Sequence, residues 1–193
     1  MKNFRDSEEF KRGRFGEQNV VKYLRSKGRY VVPSYDYSGE NGDKAPKMYG
    51  KHKGLVVPDL DVCSYGKRFW FEVKTKACAG HYRKSNTFTH GIDARLYRDY
   101  LEVEKQSGCP VYLVVLEEDT GEVLVALLRD LSIHSTPVYG GKEMINFPRS
   151  EFKLMYSTNA FNGLKRSSMD RTKSVGDTRK PFYDGKDPIE EGA

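Results

Sequence analysis

Two carboxylates and an ammonium group fall where they can act together. Asp59 lies in the run Val56-Val57-Pro58-Asp59-Leu60-Asp61-Val62-Cys63, and Glu72 and Lys74 lie in Arg68-Phe69-Trp70-Phe71-Glu72-Val73-Lys74-Thr75. Both runs alternate apolar and polar residues, and the segment between them, Ser64-Tyr65-Gly66-Lys67, contains a glycine. That pattern signals a β-hairpin. With Tyr65 and Gly66 as the loop, Ser64 pairs with Lys67 and Asp59 lies directly opposite Glu72. Successive side chains alternate faces, so Asp59, Asp61, Trp70, Glu72 and Lys74 share one face, and Leu60, Val62, Phe71 and Val73 the other. Directly opposed residues hold their Cβ atoms about 5 Å apart, and two like charges there repel. A divalent cation would relieve the repulsion, and hard oxygen donors suit Mg²⁺. Lys74 could relieve part of it as a salt-bridge partner. A bulge or a longer loop would shift the register by one residue and turn one strand over.

Lys67, Arg68, Lys74, Lys76, His81, Arg83 and Lys84 crowd around this acidic pair. A negative cluster ringed by positive charge suits a metal site that handles phosphates; ordinary solvated lysines are the plainer reading. Phosphodiester hydrolysis needs an activated water, neutralised phosphoryl oxygens and a stabilised leaving oxygen. Carboxylate-held Mg²⁺ supplies much of this, and a nearby ammonium adds electrostatic stabilisation. Asp61 either extends the site or pairs with Lys67 or Arg68.

The elements that must position these groups are partly visible. A first helix is expected from near Ser7 to Ser26, with Asp6 and Glu9 as a capping box and Gly28 as its stop. Phe10, Gly13, Glu17, Val20, Val21 and Leu24 recur at helical spacing, which puts Glu17 on the core-facing stripe. A carboxylate there needs a partner or a metal. Tyr30 to Pro33 reads as a short strand. Residues 34–53 are polar and rich in turn signals, and Lys44, Lys47, Lys51, His52 and Lys53 within them could touch nucleic acid. Ala77 to Thr89 reads as a second basic loop. A helix is expected from Ile92 to about Gln106, with Ile92, Leu96, Tyr100 and Val103 as its apolar face. His90, just before it, could reach a phosphate or cap the helix start. Val111 to Leu116 is a continuous apolar run, hence a strand buried on both faces. Val123 to Leu128 returns after a turn, and Arg129 to Ser135 reads as a helical turn. From about Ser157 the periodicity stops, so residues 157–193 are expected to be an extended or mobile tail.

The chain has 193 residues, of which 37% are hydrophobic and 31% charged, enough for one domain with a real core. Its longest apolar run is far short of the roughly 20 residues a membrane span needs. The N-terminus lacks the apolar stretch of a secretory signal, and Cys63, Cys78 and Cys109 show no metal-type clustering. Both features predict a cytoplasmic protein with reduced thiols and no membrane partner. The net charge of +6 is consistent with a polyanionic partner.

Glu17 in a first helix, Pro58-Asp59, and Glu72-Val73-Lys74, in the order helix, strand, strand, strand, helix, strand, resemble the PD-(D/E)XK nuclease superfamily. The resemblance covers roughly residues 7 to 128. It implies a restriction-endonuclease-like αβββαβ core, an α/β fold with a mixed central sheet flanked by helices, over residues 1–156. The activity it implies is Mg²⁺-dependent endonucleolytic cleavage of DNA, with Mn²⁺ able to substitute, and structure-selective action in recombination, repair or defence. By that resemblance Asp59, Glu72 and the main-chain carbonyl of Val73 hold the metal. Lys74 positions or deprotonates water, or stabilises charge on the phosphate, and Glu17 is a further acid of the Holliday-junction-resolvase and RecB-like branches. RecB-like branches also carry a Gln-x-x-x-Tyr pair; here Asp93 and Tyr97 meet the spacing without the glutamine. The nucleic-acid contacts expected are Lys76, His81, Arg83, Lys84, His90 and Tyr97, and cutting both strands would favour a homodimer. Two rival readings remain: a non-catalytic nucleic-acid-binding protein on the same fold, and a structural or inhibitory protein whose basic surface meets an acidic partner.

Overall fold

The computed structural model describes residues 7–34, 46–50, 54–83 and 85–159. Helix α1 spans Glu8–Ser26. Ser7 caps it: the hydroxyl oxygen accepts from the Phe10 N–H at 3.2 Å. The expected cap, Asp6, lies outside the described residues. Gly28, at φ +75°, follows the helix where the chain turns into β1 (Tyr30–Pro33).

A short pair, β2 (Lys47–Tyr49) and β3 (Gly54–Val56), comes next. Then follow β4 (Leu60–Ser64), β5 (Lys67–Lys76), β6 (Gly80–Tyr82), β7 (Thr87–Asp93), α2 (Ala94–Ser107), β8 (Val111–Glu117) and β9 (Glu122–Leu127). The chain ends its described part with β10 (Val138–Tyr139), β11 (Lys142–Pro148) and β12 (Lys153–Ser157).

The central sheet is six-stranded, in the order β1-β4-β5-β8-β9-β12. It is mixed: β5 and β8 run parallel, and the other neighbours antiparallel. Within it, α1-β1-β4-β5-α2-β8 follows the expected αβββαβ order. One face carries Leu60, Val62, Phe71, Val73 and Val114, packed with Val20 and Leu24 of α1. The other carries Trp70, Leu113 and Val115, packed with Tyr100 and Val103 of α2. Helices therefore cover both faces, as the α/β reading requires. Every residue of β8 is buried, which explains its unbroken apolar run.

Several local expectations are corrected. The basic segment 77–89 is not a loop: it holds β6 and the start of β7, in a second sheet of order β10-β11-β7-β6. The second helix begins at Ala94, not Ile92, because Ile92 pairs with Ile145 in the sheet and Asp93 accepts from the Arg95 N–H at 2.8 Å. Within the expected loop 34–53, Lys47–Tyr49 is a strand, while Lys44, Lys51, His52 and Lys53 lie outside the described residues. The helical turn is a single 3₁₀ turn over Leu128–Asp130 rather than Arg129 to Ser135. Strand β12 runs through Ser157, and most of the expected tail, residues 160–193, lies outside the described residues.

Candidate active site

The hairpin β4–β5 has the register that the spacing implies. Ser64 pairs with Lys67, Cys63 with Arg68 and Leu60 with Phe71. Tyr65 (φ 47°) and Gly66 (φ 80°) form the loop, and positive φ at both central residues is what a tight two-residue hairpin turn needs. Asp59 stands one residue before β4, so the ladder continues to place it opposite Glu72. The Asp59 Oδ2 accepts from the Val73 N–H at 2.8 Å, bonding it to the strand that carries Glu72.

Both carboxylates are out of solvent: Asp59 is 7% exposed and Glu72 1%. The Lys74 ammonium pairs with Glu72 Oε1. The other Glu72 oxygen, Oε2, is buried and accepts no hydrogen bond among the described residues. Burial first, and the Glu72 charge second, push the Asp59 carboxyl well above the ordinary carboxylate range. Lys74 opposes this, Glu17 adds to it, and the Val73 N–H opposes it.

Glu17 thus reaches the site electrostatically, although its place on α1 differs from expectation. The buried stripe is Gly16, Val20 and Leu24, and Glu17 flanks it half-buried. Gly16 permits this docking: a Cβ there would strike Thr75 Oγ1 on β5. Arg12, one turn earlier, grips Glu118 through two bonds of 2.9 and 2.6 Å, which ties α1 to the β8–β9 turn.

Asp61 does not extend the site. It takes two bonds from Arg68, at 2.9 and 2.6 Å. Lys76 is half-buried on β5, on the same face as Glu72 and Lys74. Burial, then the charges of Lys74 and Arg12, lower its ammonium below the ordinary lysine value. His81 and Arg83 are exposed on and beside β6, and Lys84 lies outside the described residues. Tyr97 packs its ring against Phe147, centroids 5.7 Å apart.

His90 is neither at the surface nor a helix cap. It is 3% exposed within β7, and its Nε2 lies 2.8 Å from Glu117 Oε1. Arg149 donates two further bonds to Glu117, at 2.6 and 2.5 Å, and one to Glu122 at 2.5 Å. Burial pushes the Glu117 carboxyl up, but the bonds and charges of Arg149 and His90 outweigh it and hold the group at about 2. This buried network escaped the sequence reading; its one local signal is the acid that closes the apolar run of β8.

The chemistry of the Asp59–Glu72 pair suits a hard divalent cation. Two opposed carboxylates, one with a buried oxygen that accepts no hydrogen bond among the described residues, form the kind of partial oxygen shell such an ion completes with water and phosphate. No group of three or more His, Cys, Asp and Glu side chains suited to a metal occurs among the described residues.

No protein-family model matches the chain. No curated protein matches it either. Among solved structures it is similar to Hjc, a Holliday junction resolvase of the archaeal hyperthermophile Archaeoglobus fulgidus, at 11% identity and a TM-score of 0.48. That match covers 72% of this chain and 86% of the other. It is also similar to D212, a nuclease from a fusselovirus, at 12% identity and a TM-score of 0.39, over 73% of this chain and 82% of that one. No helix of the described residues is long and apolar enough to cross a membrane.

Proposed function

We propose that the protein is a metal-dependent DNA endonuclease that hydrolyses phosphodiester bonds at the Asp59–Glu72–Lys74 site. One observation carries the reading: two buried, opposed carboxylates, with an ammonium beside them and a Glu72 oxygen that accepts no hydrogen bond among the described residues. Burying two like charges is costly, and a site built this way suits a cation that the folded chain must take up.

Asp59, Glu72 and the main-chain carbonyl of Val73 would hold Mg²⁺ or Mn²⁺. When bound, the ion lowers the pKa of water and neutralises phosphoryl charge. The Val73 N–H bonds the Asp59 carboxylate to the strand that carries Glu72. Lys74, drawn toward Glu72, holds positive charge where a phosphate would approach and stabilises the charge that develops on it. Glu17 adds negative charge behind Asp59 and favours cation uptake. Lys76, His81, Arg83 and Lys84 supply contacts to the DNA backbone. A homodimer would present two such sites to two strands.

The test is cleavage of duplex, single-stranded and branched DNA with Mg²⁺ and with chelator. Wild type is expected to cut at least one form only with the metal. Asp59→Ala and Glu72→Ala should abolish cutting, and Lys74→Ala should slow it by about 100-fold or more. A folded wild type that leaves every form intact overturns the reading.

A second reading, a DNA-binding protein without catalysis, draws on the lack of any three-residue metal cluster among the described residues. It expects no Mg²⁺-dependent change in stability, which calorimetry resolves.

A further inference from the structure

We infer that the cleft between β6, β7 and β11 binds one unpaired nucleotide of DNA beside the cleaved bond, so that the preferred substrate has a single-stranded or splayed segment. The choice of DNA as ligand rests on the nuclease reading above; the cleft itself rests on separate observations.

The first is position. Lys76 lines the cleft and stands on the same face of β5 as Glu72 and Lys74. Two residues along a strand is about 7 Å, so the cleft opens roughly one nucleotide's length from the ammonium of the candidate active site. The second is size. The cavity holds about 240 Å³, less than the ~300 Å³ at which drug-sized pockets begin. That suits one ring system, and a base locked in a duplex stack cannot enter it.

The third is charge. Among the described residues lining the cleft there is one lysine and no acid. Lys76 is crowded by burial and by the charges of Lys74 and Arg12. A phosphate at the mouth offsets both penalties. The fourth is the chemistry of the walls. Tyr139, on the edge strand β10, is 65% exposed and lines the cleft. Tyr82 lines it as well, its ring met edge-on by His134 with centroids 5.1 Å apart. Rings that line a cleft in this way are stacking platforms for unpaired bases.

The fifth is a fixed polar edge. Asn146 donates through Nδ2 to Ser135 Oγ at 3.2 Å, and its backbone exchanges bonds with Ser135 and His134. Opposite it on β7 is Gly91, where a Cβ would strike Asn146 Oδ1. The glycine lets the carboxamide lie across the strand, where its donor and acceptor can meet a base edge.

Fluorescence anisotropy of the full chain, with chelator to prevent turnover, tests the inference on single-stranded DNA and a blunt hairpin duplex of matched sequence. Tyr139→Ala alters an exposed side chain of the cleft and Tyr82→Ala a half-buried one, and circular dichroism checks that both variants fold. Each is expected to weaken single-strand binding about tenfold and to lower the ratio of single-strand to duplex affinity. Unchanged single-strand affinity, or equal loss on both ligands, overturns the inference. Variant-sensitive binding that is tighter for single-stranded RNA than for DNA overturns the assignment to DNA. Cleavage by wild type with Mg²⁺, measured in parallel, separates the two proposals. Cutting with no effect of the variants removes the cleft and leaves the nuclease. Variant-sensitive binding with no cutting keeps the cleft and removes the nuclease.

Discussion

Asp59 is the residue on which the site's electrostatics turn. Its carboxyl is raised well above the usual range by burial and by Glu72. A raised carboxyl binds its proton more tightly folded than unfolded, so stability is highest at and below the ordinary carboxylate pKa and falls as pH climbs through the raised value. Asp59→Asn is therefore expected to raise the melting temperature of metal-free protein at neutral pH and to flatten this dependence; thermal melts across pH check it. Glu117 has the opposite sign. Held at about 2 against an ordinary 4.5, it contributes stability that is complete above 4.5 and disappears as pH falls through 2. Glu117→Gln leaves Arg149 and His90 facing a neutral amide. It is expected to cost about 3 kcal/mol at neutral pH in urea unfolding.

At the scale of elements, two glycines control the geometry. Gly66 sits at φ +80° in the β4–β5 turn. Gly66→Val should cost ~1–2 kcal/mol in denaturant unfolding, the penalty for a side chain in the left-handed region. Gly16 lets α1 close on Thr75, so Gly16→Val is expected to lose ~1–3 kcal/mol and to move Glu17 away from Asp59. The hairpin register was legible in the sequence because alternation and turn are both local and agree. The α2 start was not, since Ile92 fits a helix stripe as well as a strand, and only pairing with Ile145 decides. β6 and the start of β7 resemble a loop in sequence because β6, Gly80–Tyr82, has no buried residue and so no apolar period. The Glu117–His90–Arg149 network joins residues distant in sequence, and no local pattern marks such a contact. Glu17 lies one residue from the phase its spacing suggests, because a glycine, Gly16, occupies the buried stripe where an apolar side chain is expected.

For the whole molecule, a mixed sheet with a helix on each face holds the acidic pair, while the second sheet projects beside it. Glu117 on β8, His90 on β7 and Arg149 after β11 pin the two sheets together. With a net charge of +6, DNA affinity is expected to fall linearly on logarithmic axes as salt rises. Anisotropy over a salt series measures that slope, and a flat line removes DNA as the partner. For the proposed chemistry, Asp59 and Glu72 must together hold a divalent ion. Anomalous diffraction from crystals soaked in Mn²⁺ tests it most directly. The expected result is a peak bounded by the Asp59 and Glu72 carboxylates and the Val73 carbonyl, absent in Glu72→Ala. A well-ordered site with no peak, or a peak that persists in Glu72→Ala, would contradict the account.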